Sequence, residues 1–194
     1  GIGEAPQLSS TYAKYDDGAS VFNVYQNFAG TSCPAGWSCY SGSTINNGLT
    51  LNNANVTSVN QYYPQIFETL AFNINSNLRG EQIDYVNGSN NAYNNNQPYW
   101  GHGNIGSTNG GDNGNPPSIT SEYIQSIGWS GSTLYWWDNY TNQNTQGTGL
   151  SPSSVWHIRL TAWPSGYSSS FHWVRMRAFP PADVMPSVSF GSVS

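Results

Sequence analysis

The chain has 194 residues, of which 8% are charged, and a net charge of −5 with Lys14 as its one lysine. No basic stripe is available to neutralise several phosphates, which excludes a nucleic-acid partner and disfavours an anionic membrane surface. With 8 Trp, 13 Tyr, 7 Phe and 37% hydrophobic residues the chain is too rich in core formers for disorder, and its length suits one domain.

Taken from the start, the segment GIGEAPQL carries neither the positive nor the apolar region of a signal peptide, and no apolar run approaches the roughly 20 residues that span a bilayer. The expectation is a mature or excised soluble piece without a membrane span, with an entry segment over 1–10 and a single domain over 11–194. Cys33 and Cys39 are the two cysteines, too few for a zinc site, and a local disulfide is the simplest reading. Sequons at Asn55, Asn87 and Asn139 point, with that disulfide, to an extracellular or cell-surface glycoprotein.

Apolar and polar residues alternate in short stretches bounded by Gly, Asn, Pro or Ser, the pattern of strands and turns. A first hairpin is expected over 45–51, turning at Asn46-Asn47-Gly48. The stretch 65–73 sets Ile66, Glu68, Leu70 and Phe72 against Phe67, Thr69 and Ala71. Both faces are substantially apolar, so it reads as a central strand covered on both sides, holding Glu68 as a buried or cleft carboxylate. From 87 to 117 an Asn- and Gly-rich stretch with Tyr and Trp reads as a long functional loop. The segment 119–127 is assigned to strand, and a hairpin over 123–139 turns at Ser130-Gly131. Residues 155–163 place Trp156, Ile158, Leu160 and Ala162 opposite His157, Arg159, Thr161 and Trp163. Trp173, Arg175 and Arg177 oppose Val174 and Met176 in 171–179, and a last strand is expected over 187–192. About ten strands make an all-β sandwich or barrel.

The opening Gly3-Glu4-Ala5-Pro6-Gln7-Leu8, then Tyr15-Asp16-Asp17-Gly18 and Tyr25-Gln26-Asn27-Phe28, resembles a module of archaeal surface proteins, as does the ending Trp173-Val174-Arg175-Met176-Arg177 with Val184-Met185-Pro186-Ser187. In those proteins a domain of unknown function precedes a concanavalin A-like lectin/glucanase module, and this chain is similar to the second part. The resemblance implies a jelly-roll β-sandwich of two antiparallel sheets with one side open to polysaccharide. It implies no single function, because that fold hosts lectins, glycosidases, lyases and structural spacers.

Glycoside hydrolysis needs two carboxylates facing one groove. Gly80-Glu81-Gln82-Ile83-Asp84-Tyr85 approaches the laminarinase-type motif, in which acidic residues recur at every second position of one strand. Here the spacing of three sends Glu81 and Asp84 to opposite faces, and Asp84 shares its face with Gln82 and Val86. If the chain is an enzyme, Glu68, Glu81 and Asp84 are its candidate acids; otherwise Glu81 pairs with an arginine and Asp84 caps a turn. No Gly-X-Ser-X-Gly elbow supports a nucleophile, and His102, His157 and His172 read as surface or cleft residues. No cofactor is required, although Asp112 and Asn113 offer oxygens that suit calcium.

Sugars are recognised by flat aromatic faces flanked by amides and carboxylates. The densest such clusters are Tyr99, Trp100 and His102, and Trp136, Trp137 and Asp138, with one tryptophan of the adjacent pair expected in the core. The preferred expectation is a non-catalytic carbohydrate-binding, lectin-like module for recognition or adhesion, its partner a polysaccharide or glycan. The alternatives are a self-associating subunit or spacer of a surface layer or filament, and a glucanase-type hydrolase.

Overall fold

Alternation of side chains along extended segments gives each strand one apolar face, and two such faces close on one another to form the core. The computed structural model describes residues 5–6, 15–16, 22–73, 81–86, 98–101, 104–107, 111–112, 122–147, 155–162, 166 and 168–179. In chain order the strands begin with β1 (Ala5–Pro6), β2 (Tyr15–Asp16), β3 (Val24–Gln26), β4 (Trp37–Cys39), β5 (Ser43–Ile45) and β6 (Leu49–Asn52). They continue with β7 (Asn55–Ser58), β8 (Ile66–Asn73), β9 (Glu81–Val86), β10 (Pro98–Gly101), β11 (Asn104–Ser107) and β12 (Gly111–Asp112). The series ends with β13 (Tyr123–Ser130), β14 (Thr133–Asp138), β15 (Thr141–Gly147), β16 (His157–Ala162) and β17 (Ser168–Arg177). No helix occurs among the described residues. None, therefore, is long and apolar enough to cross a membrane.

Two antiparallel sheets form the sandwich. The first has the order β12-β11-β10-β9-β16-β7-β4, and the second β15-β14-β13-β8-β17-β6-β5, with β3 added against β17. The strands expected over 65–73, 155–163 and 171–179 are β8, β16 and β17, and both hairpins form where the turn residues stand. Further strands lie beyond those anticipated: most are of two to four residues, too short for alternation to mark, and β15, of seven residues, is polar throughout and so shows no alternation. The strand expected over 187–192 lies outside the described residues. β1 pairs with β2, Ala5 opposite Asp16, so the entry segment has a partner within its own chain.

The inner faces interdigitate Phe67 and Ala71 of β8, Tyr123, Ile127 and Trp129 of β13, Val174 and Met176 of β17, and Ile83, Tyr85, Ile158 and Leu160 from the other sheet. Each of the Val, Leu, Ile, Met and Phe side chains contributes about 1.5–3 kcal/mol through burial. Trp129 and Trp156 meet at 5.2 Å between ring centroids, and Trp129 also tilts against Tyr85 at 6.3 Å. The Tyr85 hydroxyl donates to the Gln65 carbonyl at 2.7 Å. Burial pushes that phenol far above the usual tyrosine range, the Gln65 hydrogen bond opposes the shift, and the negative Glu68 adds to it.

Cys33 and Cys39 form the expected disulfide. It closes the loop that leads into β4, whose Trp37 meets Phe28 edge-on at 5.6 Å.

Candidate functional site

On the outward face of the first sheet, Asp84 of β9 and Arg159 of β16 are register partners. The guanidinium grips the carboxylate through Nε at 2.9 and 3.2 Å and Nη2 at 2.8 Å. Asp84 is fully buried and Arg159 nearly so. This is a two-pronged, charge-assisted pair of the kind that fixes a carboxylate in one orientation. The expected turn-capping role is therefore corrected: Asp84 stands mid-strand. Around it His157 Nδ1 donates to the Ser58 carbonyl at 2.8 Å, and Thr57, Thr161 and Asn55 are also buried. Burial of Asn55 within β7 takes that sequon out of reach in the folded chain. Asn139, by contrast, is exposed at the turn between β14 and β15, its Oδ1 accepting from Ile124 N at 2.8 Å.

On the outward face of the second sheet, Glu68 accepts from Arg175 Nε at 2.7 Å, from Arg177 Nε at 3.0 Å and from Ser126 Oγ at 3.2 Å. The Arg175 guanidinium lies 4.7 Å from the ring centres of both Phe22 and Trp173, and its Nη2 donates to the Tyr140 hydroxyl at 2.9 Å. Glu68 is fully buried, as its central strand implied. Opposite outer faces of a sandwich whose sheets stack about 10 Å apart cannot present two acids to one bond. Glu68 and Asp84 are consequently not a catalytic couple, which corrects that candidate assignment. Glu81 begins β9 with Ala162 as register partner, and its side chain lies outside the described set.

Trp136 and Trp137 are both buried, as is Asp138. Trp136 fills the core as one of the pair was expected to do. Trp137, next along β14, faces outward by alternation but is covered: it stacks on Tyr135 at 5.5 Å and 6°, and Phe179 meets Tyr135 at 5.7 Å. These three residues therefore offer no open ring face or free carboxylate for stacking a sugar, which corrects the expectation built on them. Tyr99 and Trp100 stand in β10 as register partners of Asp84 and Ile83, and their side chains lie outside the described set. His102, Asn113 and Asn87 lie outside the described residues, and Asp112 stands in β12 opposite Gly106. Among the described residues no group of three His, Cys, Asp or Glu side chains converges as a metal site.

Sequence reasoning missed the arginine partners of Glu68 and Asp84. Arg159 could be placed on the polar face of its strand, but which carboxylate it meets depends on a pairing across 75 residues of chain.

No known protein family and no curated protein matches this sequence. The fold, however, is shared with solved structures of glycan-cleaving enzymes. A β-glucanase of Bacillus licheniformis is 12% identical at a TM-score of 0.56, over 79% of this chain and 96% of that one. A catalytic domain of an endo-1,3-β-glucanase (laminarinase) from Thermotoga petrophila is 10% identical at 0.57, over 79% and 96%. A family 16 glycosyl hydrolase of Mycobacterium smegmatis is 11% identical at 0.56, over 79% and 99%. The chain has the concanavalin A-like jelly-roll fold. At these identities the likeness is one of fold.

Proposed function

We propose that the chain is a non-catalytic carbohydrate-binding module of a secreted or cell-surface protein, acting in recognition or adhesion. One observation carries the reading. In a fold used by glucanases, the outward positions of β9 hold Gln82, Asp84 and Val86, and the one carboxylate among them is buried against Arg159. A carboxylate locked in that way neither attacks an anomeric carbon nor shuttles a proton. The disulfide supports an oxidising compartment.

The test pairs a binding measurement with a product assay on the same preparation. Glycan-array and calorimetric titration are expected to show binding to neutral polysaccharide, with no reducing ends released on prolonged incubation. Sustained release of oligosaccharides that Glu81→Gln abolishes would establish the hydrolase reading, which the glucanase neighbours support. A folded chain that retains no glycan would remove the binding reading.

A further inference from the structure

The outward surface of the second sheet carries a groove of about 400 Å³, on the opposite side of the sandwich from Asp84. Its floor follows from register. Phe72 of β8 is opposite Ser170 of β17, Ser170 is opposite Thr50 of β6, and Thr50 is opposite Thr44 of β5. One aromatic ring and three hydroxyls thus form a single row across four strands, a span of about 14 Å at the usual inter-strand spacing. The Thr50 and Ser170 hydroxyls already meet at 3.3 Å.

One wall is the turn between β5 and β6. Asn47 there adopts the left-handed conformation, with φ of 49°, and is fixed by Gly30 N donating to its Oδ1 at 2.9 Å and by its own N–H donating to the Gly30 carbonyl at 2.8 Å. Gly48 N donates to the Phe28 carbonyl at 2.9 Å. The wall is therefore built before any ligand arrives, which lowers the ordering cost of binding. The other wall is His172, set at the register shift in β17, with Nε2 2.8 Å from Glu122 Oε1.

The chemistry of this groove selects its ligand. Thr44 and Asn46 are exposed, and among the described contacts their side chains hold no protein partner. Hydroxyl and primary amide groups both donate and accept, as sugar hydroxyls do. Among the described residues that line the groove there is no Lys or Arg, and Glu122 lies beside His172, so nothing there favours a phosphate, sulfate or carboxylate. We propose that it binds a neutral oligosaccharide, whose apolar ring face lies toward Phe72 and whose hydroxyls run along the Thr50–Thr44 end. This inference rests on the glycan-binding reading and assigns it a surface remote from the Asp84 face.

The test is backbone and side-chain amide mapping on the ¹⁵N-labelled full chain, titrated with neutral β-1,3-glucan oligosaccharides and separately with mixed-linkage β-1,3-1,4-glucan oligosaccharides. Shifts are expected at Thr44, Asn46, Thr50, Ser170 and His172. Thr44→Trp, at an exposed position, fills the groove and is expected to raise Kd at least about tenfold. Asn46→Ala, on the exposed turn, removes one polar contact and is expected to raise it about threefold or more. Unchanged affinity in both variants, with shifts gathered on β9 and β16, would overturn the groove and leave glycan binding standing. No binding by the unaltered chain to either probe would overturn both.

Discussion

Replacing Arg159 by Met tests the central claim that Asp84 serves as half of a buried pair. The substitution keeps a long apolar stem but deletes all three contacts, at 2.8, 2.9 and 3.2 Å, to a carboxylate that has no exposure to water. Removing one partner from such a pair costs about 3–5 kcal/mol, because the remaining charge stays desolvated and loses this guanidinium. For a chain of this length that is about 6–20 °C in Tm. Replacing both partners, Asp84→Leu with Arg159→Met, removes the stranded charge and is expected to recover most of the loss, since apolar replacements of buried pairs are often neutral. Urea unfolding followed by tryptophan fluorescence, completed as a double-mutant cycle, measures the coupling. A single variant within about 1 kcal/mol of the parent, or a double variant as unstable as the sum of the two singles, would refute the reasoning.

At the other acid, Arg175→Met is expected to cost less, about 1–2 kcal/mol, because Arg177 still matches Glu68 and both arginines are about one-fifth exposed; the same unfolding assay reads it. Gly128→Ala would put a methyl group 2.7 Å from the Phe179 ring and 2.9 Å from Trp137, and a loss of about 1–3 kcal/mol is expected, with a changed near-ultraviolet circular dichroism signal from the disturbed stack. Because the folded pKa of Tyr85 is raised, its contribution to stability is complete below the unfolded value of about 10 and is lost as pH rises beyond it, by about 1.4 kcal/mol per pH unit. Tyr85→Phe should flatten that alkaline slope in urea titrations at successive pH values, and equal slopes would count against the assignment. Replacing Cys33 and Cys39 by Ala opens a short loop and is expected to cost about 2 kcal/mol by thermal unfolding, with the fold retained.

The fold was legible wherever alternation ran long enough. The pattern at 65–73 identified a central strand covered on both faces, and β8 is flanked by β13 and β17 with Glu68 fully buried. The turn at Asn46-Asn47-Gly48 was equally plain, because left-handed backbone favours Asn and Gly. The site was less legible, for a physical reason. A strand pattern says which residues share a face but not which strand lies beside them, so Arg159 could not be joined to Asp84, nor Phe72 to Ser170 and Thr44. Trp137 shows the same limit from another side. It faces outward, as alternation requires, yet Gly128 leaves space beneath it and Phe179 lies over that space.

The position of β17 bears on how the chain reaches this state. It is the last described strand, yet it lies between β8 and β6, more than ninety residues earlier in sequence, and also pairs with β3. β16 likewise separates β9 from β7. The first sheet cannot close until synthesis has passed residue 162, nor the second until it has passed residue 177, so a growing chain holds unmatched strand edges until late. Slow, non-local closure of this kind exposes a nascent protein to edge-to-edge association. Sparse charge gives little repulsion to prevent it, so production of the domain should depend on temperature and on the rate of translation.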